Sequence, residues 1–156
     1  ENGVGIFNGT VAIVPQLKAP GFCNAEARPG VLGKVPDVSS YLNGGGILYT
    51  LKSTGPLSSF KAAFGTSLEY DFNSYKADFS VPVSGNVEQV FIPFTNFSNK
   101  WSAATGEPTT KCSEDPSVCP TAKSLMTIGS IGIWAEGEAG DFHVELHSIA
   151  AAMGPN

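Results

Sequence analysis

The stretch VEQVFIPFTNFSNKW, residues 87–101, packs three phenylalanines, a tryptophan and a proline into fifteen positions. Val90, Ile92 and Phe94 recur at every second position, which is the period of side chains along an extended strand. This alternation predicts a strand with these three side chains facing a core. Pro93 cannot donate a backbone hydrogen bond, so it is expected to lie where strand pairing ends.

Similar short patterns recur along the chain, whereas helical periodicity is limited to a weak signal at residues 122–127. Short strands separated by turn residues are typical of antiparallel sandwiches and barrels. We therefore predict one all-β domain over residues 1–156, an antiparallel β-sandwich of the jelly-roll type, in which 46–53 and 58–67 pair across a TGPL turn. Two long loops are expected at 18–45 and 99–127. The predicted strands are 9–17, 46–53, 58–67, 74–83, 87–94, 130–136 and 141–150.

The composition excludes several classes of partner. Charged residues make up only 15% of the chain, the net charge is −5, and Lys and Arg do not cluster. Nucleic acids and anionic membrane surfaces require local positive potential, so neither is expected as a partner. No apolar run reaches the roughly 18–20 residues that span a bilayer, so no transmembrane segment is expected.

The chain contains three cysteines, and two of them lie close together in the segment KCSEDPSVCP. Cys112 and Cys119 are predicted to form a local disulfide, because the loop offers no further thiol or imidazole for a metal. Cys23 is left over, either as a buried free thiol or as a link to another chain. The disulfide implies an oxidising compartment. Two glycosylation sequons begin at Asn8 and Asn96 and matter only on a secretory route.

The most concentrated polar pattern is HVELH near the C-terminus. On a strand, His143, Glu145 and His147 would share one face, and two imidazoles with a carboxylate are a weak candidate for a metal site. Neighbouring residues on one face of a strand are about 6.5–7 Å apart, which suits a two-residue contact better than a full site. The favoured interpretation is a solvent-facing polar strand with no metal and no cofactor.

Catalytic motifs are absent from the sequence: it has no GxSxG elbow, no P-loop and no dinucleotide fingerprint. The chain is therefore predicted not to be an enzyme, although a carboxylate pair for glycoside hydrolysis stays open. The available carboxylates include Glu69, Asp71, Asp78, Glu88, Glu136, Glu138, Asp141 and Glu145.

Amphipathic aromatic residues offer a second kind of site, since exposed Tyr and Trp rings can stack on sugar rings. Trp101, Trp134 and Tyr41 are the predicted contact residues for a partner or ligand. The alternative interpretation is that most such residues fill the core. The full set is Tyr41, Tyr49, Tyr70, Tyr75, Trp101 and Trp134.

Several segments together resemble the CIA30 family, whose members are similar to the complex I intermediate-associated protein 30. The segments are PDVSSY, GILYTLKS, FKAAFGT, YKADFSVP, VEQVFIPFTNFSNKW and IGSIGIWAEGEAGDFHVELHSIA, within about residues 36–150. The family pattern V-x-IPF-x-x-F is matched by Val90, Ile92, Pro93, Phe94 and Phe97. The resemblance implies a galactose-binding-like jelly roll and a non-enzymatic role in assembling or stabilising membrane energy-converting complexes.

Two functions follow as hypotheses. In the first, the chain is an accessory or assembly subunit that docks through its loops on protein subunits of a photosynthetic or respiratory complex. In the second, it is a carbohydrate-binding module of a secreted protein. The first hypothesis places the chain in an oxidising compartment such as the thylakoid lumen of a plastid, in preference to a mitochondrion.

Overall fold

The computed structural model describes residues 3–28, 35–66 and 75–155, and it is an antiparallel β-sandwich. The first sheet has the order β1 (Gly5–Val11), β10 (Gly140–Met153), β5 (Gly45–Ser53), β8 (Glu88–Pro93). The second has the order β4 (Phe22–Ala27), β9 (Ile128–Glu136), β6 (Ser59–Thr66), β7 (Tyr75–Ser80). A two-stranded ribbon of β2 (Ile13–Val14) and β3 (Ala19–Pro20) links β1 to β4. The predicted fold class is confirmed.

The helical elements are short. The helix α1 (Ala122–Met126) confirms the weak helical signal and begins with a capping box, in which Thr121 and Ser124 satisfy each other's backbone N–H groups. Within the described part of the chain, three 3₁₀ turns lie at Ser39–Tyr41, Phe94–Asn96 and Pro116–Val118. No helix among the described residues is long and apolar enough to cross a membrane.

The core lies between the two sheets and follows the period-two pattern. Ile92 and Val90 face inward from β8, opposite Ile47 and Tyr49 of β5. The hydroxyl of Tyr49, which is fully buried, donates a hydrogen bond of 2.9 Å to the Gly132 carbonyl of the opposite sheet. Burial raises the pKa of Tyr49 well above its usual value, so the phenol stays neutral.

Two aromatic residues of VEQVFIPFTNFSNKW, Phe94 and Phe97, pack in the core, and the alternation predicts this for Phe94. Phe94 and Phe97 are 2% and 0% exposed, and their rings contact each other and the ring of Phe64. Phe91 lies half-buried on the opposite face of β8, paired with Leu48. Ile92, Phe94 and Phe97 therefore pack in the core and are not available to a ligand.

Two local predictions were wrong. Segments 46–53 and 58–67 do not pair, because β5 joins the first sheet and β6 the second, so that each strand buries one face in the common core. Part of the expected loop 18–45 forms strands β3 and β4. The sequence FCNAEA of β4 contains few β-favouring residues, and its strand conformation is imposed by pairing with β9.

Candidate functional site

The outer face of the second sheet, turned away from the core, carries a row of polar and aromatic side chains. Trp134 of β9 lies opposite Lys61 of β6, which in turn lies opposite Asp78 of β7. Lys76 lies two residues before Asp78 and shares its face. Residues 98–121, hereafter the disulfide loop, cover this face.

Lys76 is the centre of the covered region. Its side chain is completely buried, and its ammonium group lies 3.9 Å from the ring centroid of Trp101 and 3.7 Å from that of Trp134. The same Nζ donates a hydrogen bond of 2.6 Å to Oε1 of Glu136, whose side chain is only 4% exposed. The charge is thus held by two aromatic faces and one carboxylate.

The electrostatic balance at Lys76 is unfavourable for the charged amine. Burial lowers its pKa, and the hydrogen bond and charge of Glu136 offset only part of that effect. The neighbouring ammonium of Lys61 lowers the pKa further. Glu136 therefore favours the charged form of Lys76 against the effect of burial.

Backbone contacts fix the disulfide loop above this pair. Lys76 and Ser98 exchange two backbone hydrogen bonds of 2.9 Å, and Trp101 forms an isolated bridge with Pro108. Gly106 lies in the same loop, between Trp101 and Pro108, and has a φ of +70°. Its Cα is so close to Glu136 that an added Cβ would overlap the carboxylate. Only glycine meets both the conformational and the steric requirement at this position.

Lys61 is the second buried cation of the face. Its side chain is 6% exposed, and its Nζ lies 2.7 Å from Oδ1 of Asp78 and in direct contact with Oε1 of Glu107. Burial by itself lowers the pKa of Lys61, but hydrogen bonds and charge from the two carboxylates outweigh it, and the pKa is raised. Glu107 belongs to the disulfide loop, so this interaction ties the loop to the sheet.

The predicted disulfide is confirmed, with Cα atoms of Cys112 and Cys119 4.8 Å apart. Asp115 lies within the closed loop and accepts a 2.8 Å hydrogen bond from the backbone N–H of Ser117. That bond lowers the pKa of Asp115. The disulfide is consistent with an oxidising compartment. Cys23 is a half-buried free thiol.

Of the three predicted contact residues, Trp101 and Trp134 come together at Lys76, whereas Tyr41 lies elsewhere. Trp101 and Trp134 are both half-buried, and each has Lys76 over its ring, so those ring faces are closed to a sugar. Tyr41 lies half-buried beside an apolar cavity of about 750 Å³ at one end of the sandwich. A contact role for the three residues stays a prediction. Among the other aromatic candidates, Tyr49 and Tyr75 belong to the core.

His143, Glu145 and His147 lie close together on β10, as the sequence predicts. The two Nε2 atoms are 4.0 and 3.9 Å from the carboxylate oxygens of Glu145, and a bulge at His147 brings the second imidazole near. Lys52 also reaches that carboxylate at 3.4 Å and places a positive charge where a cation would bind. Throughout residues 3–28, 35–66 and 75–155, no three His, Cys, Asp or Glu side chains could together hold a metal ion.

The buried cations are the residues that the sequence analysis missed. Period-two alternation correctly puts Lys76 and Asp78 on the face away from the core, but it carries no information about what covers that face. The available signal was the pattern Trp-Ala-Glu on β9, with Lys61 on the adjacent strand β6 and Lys76 on the next strand, β7. The carboxylate candidates Glu69 and Asp71, and the aromatic candidate Tyr70, lie outside the described residues.

Comparisons with known proteins identify the fold and no family. No family model and no curated protein matches the chain. Matching solved structures include one described as "Structure of PfGH50B", a glycoside hydrolase family 50 chain, with a TM-score of 0.56 and 14% sequence identity. The match covers 99% of this chain but only 23% of that chain, so the present chain spans about a quarter of the neighbour's length. The resemblance to the CIA30 family stays a prediction.

Proposed function

We propose that this protein is a non-enzymatic accessory subunit that docks on a larger assembly. The observation that carries the proposal is a set of exposed apolar side chains within the first 22 residues, hereafter the N-terminal apolar surface. Leu17 is 71% exposed at the ribbon turn and Phe22 is 59% exposed on edge strand β4. The full set is Val4, Ile6, Ile13, Leu17 and Phe22.

Exposed apolar side chains gathered on one edge of a domain are typical of protein interfaces. β1 and β4 are the edge strands of the two sheets on the side of the sandwich that carries these residues. The chain has few charges, which is the composition expected where a surface is covered by a partner. The partner we propose is a protein subunit with an apolar surface.

The identity of the assembly rests on the sequence. The resemblance to the CIA30 family supports a membrane energy-converting complex, photosynthetic or respiratory. The disulfide supports an oxidising compartment, of which the thylakoid lumen is the one we propose.

The test is co-sedimentation of the tagged protein with detergent-solubilised thylakoid complexes. Changing Ile13 and Leu17 to Asp should remove the protein from the complex without changing its melting temperature, since both side chains are exposed. The matched control changes Val83 and Val87 to Asp. These two side chains are 47% and 51% exposed and lie in the connection between β7 and β8. Equal loss in both variants, or no co-sedimentation of the unmodified protein, refutes docking through the N-terminal apolar surface.

A second candidate function is a carbohydrate-binding module of a secreted protein. This function is favoured by the solved structure with a similar fold. That protein is named as a glycoside hydrolase, and the match covers about a quarter of its chain. Retention of the isolated protein on polysaccharide columns is the expected result under this function. If the protein passes through every polysaccharide column tested without being retained, it is not such a module.

A further inference from the structure

A groove of about 480 Å³, lined by polar side chains together with Pro108 and Cys112, lies between the disulfide loop and the edge of the second sheet. Asp78 of β7 lines one side, Thr95 and Asn96 lie in the 3₁₀ turn after β8, and Lys111 and Ser113 come from the disulfide loop. β7 and β8 are the edge strands opposite β1 and β4. The groove is therefore at the other edge of the sandwich from the N-terminal apolar surface.

The groove offers donors and acceptors in close alternation. The carboxylate of Asp78 only accepts hydrogen bonds, the amide of Asn96 both donates and accepts, and the hydroxyls of Thr95 and Ser113 do either. Neighbouring sugar hydroxyls present the same mixture, since each donates one hydrogen bond and accepts others. Apolar ligands are disfavoured, because the polar groups of the groove would lose their bound water without gaining hydrogen bonds in return.

The charges around the groove balance. Among the residues that line it, Asp78 contributes one negative charge and Lys111 one positive charge, so the formal sum of the lining is zero. A phosphate- or sulfate-rich ligand would require surplus positive charge, and a cationic ligand surplus negative charge. A neutral ligand with many hydroxyls fits both the polarity and the charge.

The walls of the groove are held in place before any ligand arrives. Lys61 anchors one oxygen of Asp78 at 2.7 Å, while the carboxylate remains 50% exposed. Ser98 donates a 2.6 Å hydrogen bond to the carbonyl of Thr110, and the disulfide closes the loop just beyond. Preorganised side chains and loops lower the ordering cost that weakens most saccharide contacts.

We propose that this groove binds a neutral saccharide, with Asp78 and Asn96 as the main contacts to its hydroxyls. The proposal rests on the second candidate function and is independent of docking through the N-terminal apolar surface.

The experiment titrates the ¹⁵N-labelled protein with cellohexaose, maltohexaose, mannohexaose and β-1,4-galactohexaose, with a heparin hexasaccharide as the anionic control. Saturable shifts centred on Asp78, Asn96 and Ser113 are expected with at least one neutral hexasaccharide. Asp78→Asn and Asn96→Ala should each weaken binding about tenfold, which is what losing one hydrogen bond to a strong partner costs. Asn86→Ala is the matched control, because Asn86 is exposed and lies outside the groove. Melting curves check that each variant folds.

The outcomes separate the site from the function. Saturable binding that survives both Asp78→Asn and Asn96→Ala overturns the groove but leaves a carbohydrate-binding module. No saturable response to any neutral hexasaccharide overturns both. A response to the heparin fragment alone overturns the charge argument and with it the proposal.

Discussion

Replacing Lys76 with Met tests whether the buried ion pair holds the disulfide loop on the sheet. Met preserves most of the apolar contact with the rings of Trp101 and Trp134 but removes the charge. Glu136, only 4% exposed, is then left without its cation. Because removing one partner leaves an uncompensated buried charge, we expect the free energy of unfolding to fall by about 3–5 kcal/mol.

The reciprocal change, Glu136→Met, is expected to cost less. Lys76 retains the two aromatic faces 3.9 and 3.7 Å away, and burial already lowers its pKa, so the amine can lose its proton when Glu136 is gone. The double variant removes both charges at once. Apolar replacement of a buried pair is often close to neutral, so we expect the double variant to lie within about 2 kcal/mol of the unmodified protein.

The assay is urea unfolding of the four proteins at pH 7, followed by tryptophan fluorescence and by circular dichroism. Trp101 and Trp134 report on the loop and the sheet, and equal m-values show that the same surface is exposed on unfolding. If the double variant loses as much free energy of unfolding as the two single variants together, the coupling energy is near zero. That result would refute the ion-pair account. A loss below about 1 kcal/mol for Lys76→Met would do the same.

Three further predictions concern the same loop. Gly106→Ala and Gly85→Ala both place alanine at a φ of +70°, but only the former overlaps a neighbour, so by thermal unfolding it should cost about 1–3 kcal/mol more than the latter. Replacing Cys112 and Cys119 with Ser should lower the free energy of unfolding by about 2.5 kcal/mol, because the unfolded chain regains the entropy that closing this short loop removes. An unchanged denaturation midpoint would contradict this. The pKa of Lys61 is raised above 10.5, so its contribution is complete below that pH and is lost as pH rises through the folded-state pKa. The difference in melting temperature between Lys61→Met and the unmodified protein should therefore shrink in alkaline buffer, and a constant difference would rule this out.

The elements of the fold were predictable where packing and local pattern agree. Ile92 of β8 and Tyr75 and Phe79 of β7 are buried, and Val90 packs half-buried against the core, as their alternation requires. A strand with one face on the core buries every second side chain. β4 was missed because it is a weakly β-favouring edge strand whose pairing partner lies far along the chain.

The candidate sites were predictable only in part. Proximity along one strand was enough to bring His143 and His147 to Glu145. Proximity along one loop was enough to pair Cys112 with Cys119. The groove beside Asp78 combines three segments distant in sequence, and no periodicity within any one of them indicates the others.

By itself the sequence determined that the chain is all-β, which face of most strands is apolar, and that a disulfide closes the loop after Trp101. Only the tertiary structure decided that β5 and β6 lie in different sheets and that Lys76 is buried. The physical reason is that alternation reports the two faces of a strand, whereas burial of the outer face depends on a loop laid over it. A lysine on that face is an ordinary solvated residue until Trp101 and Glu136 enclose it.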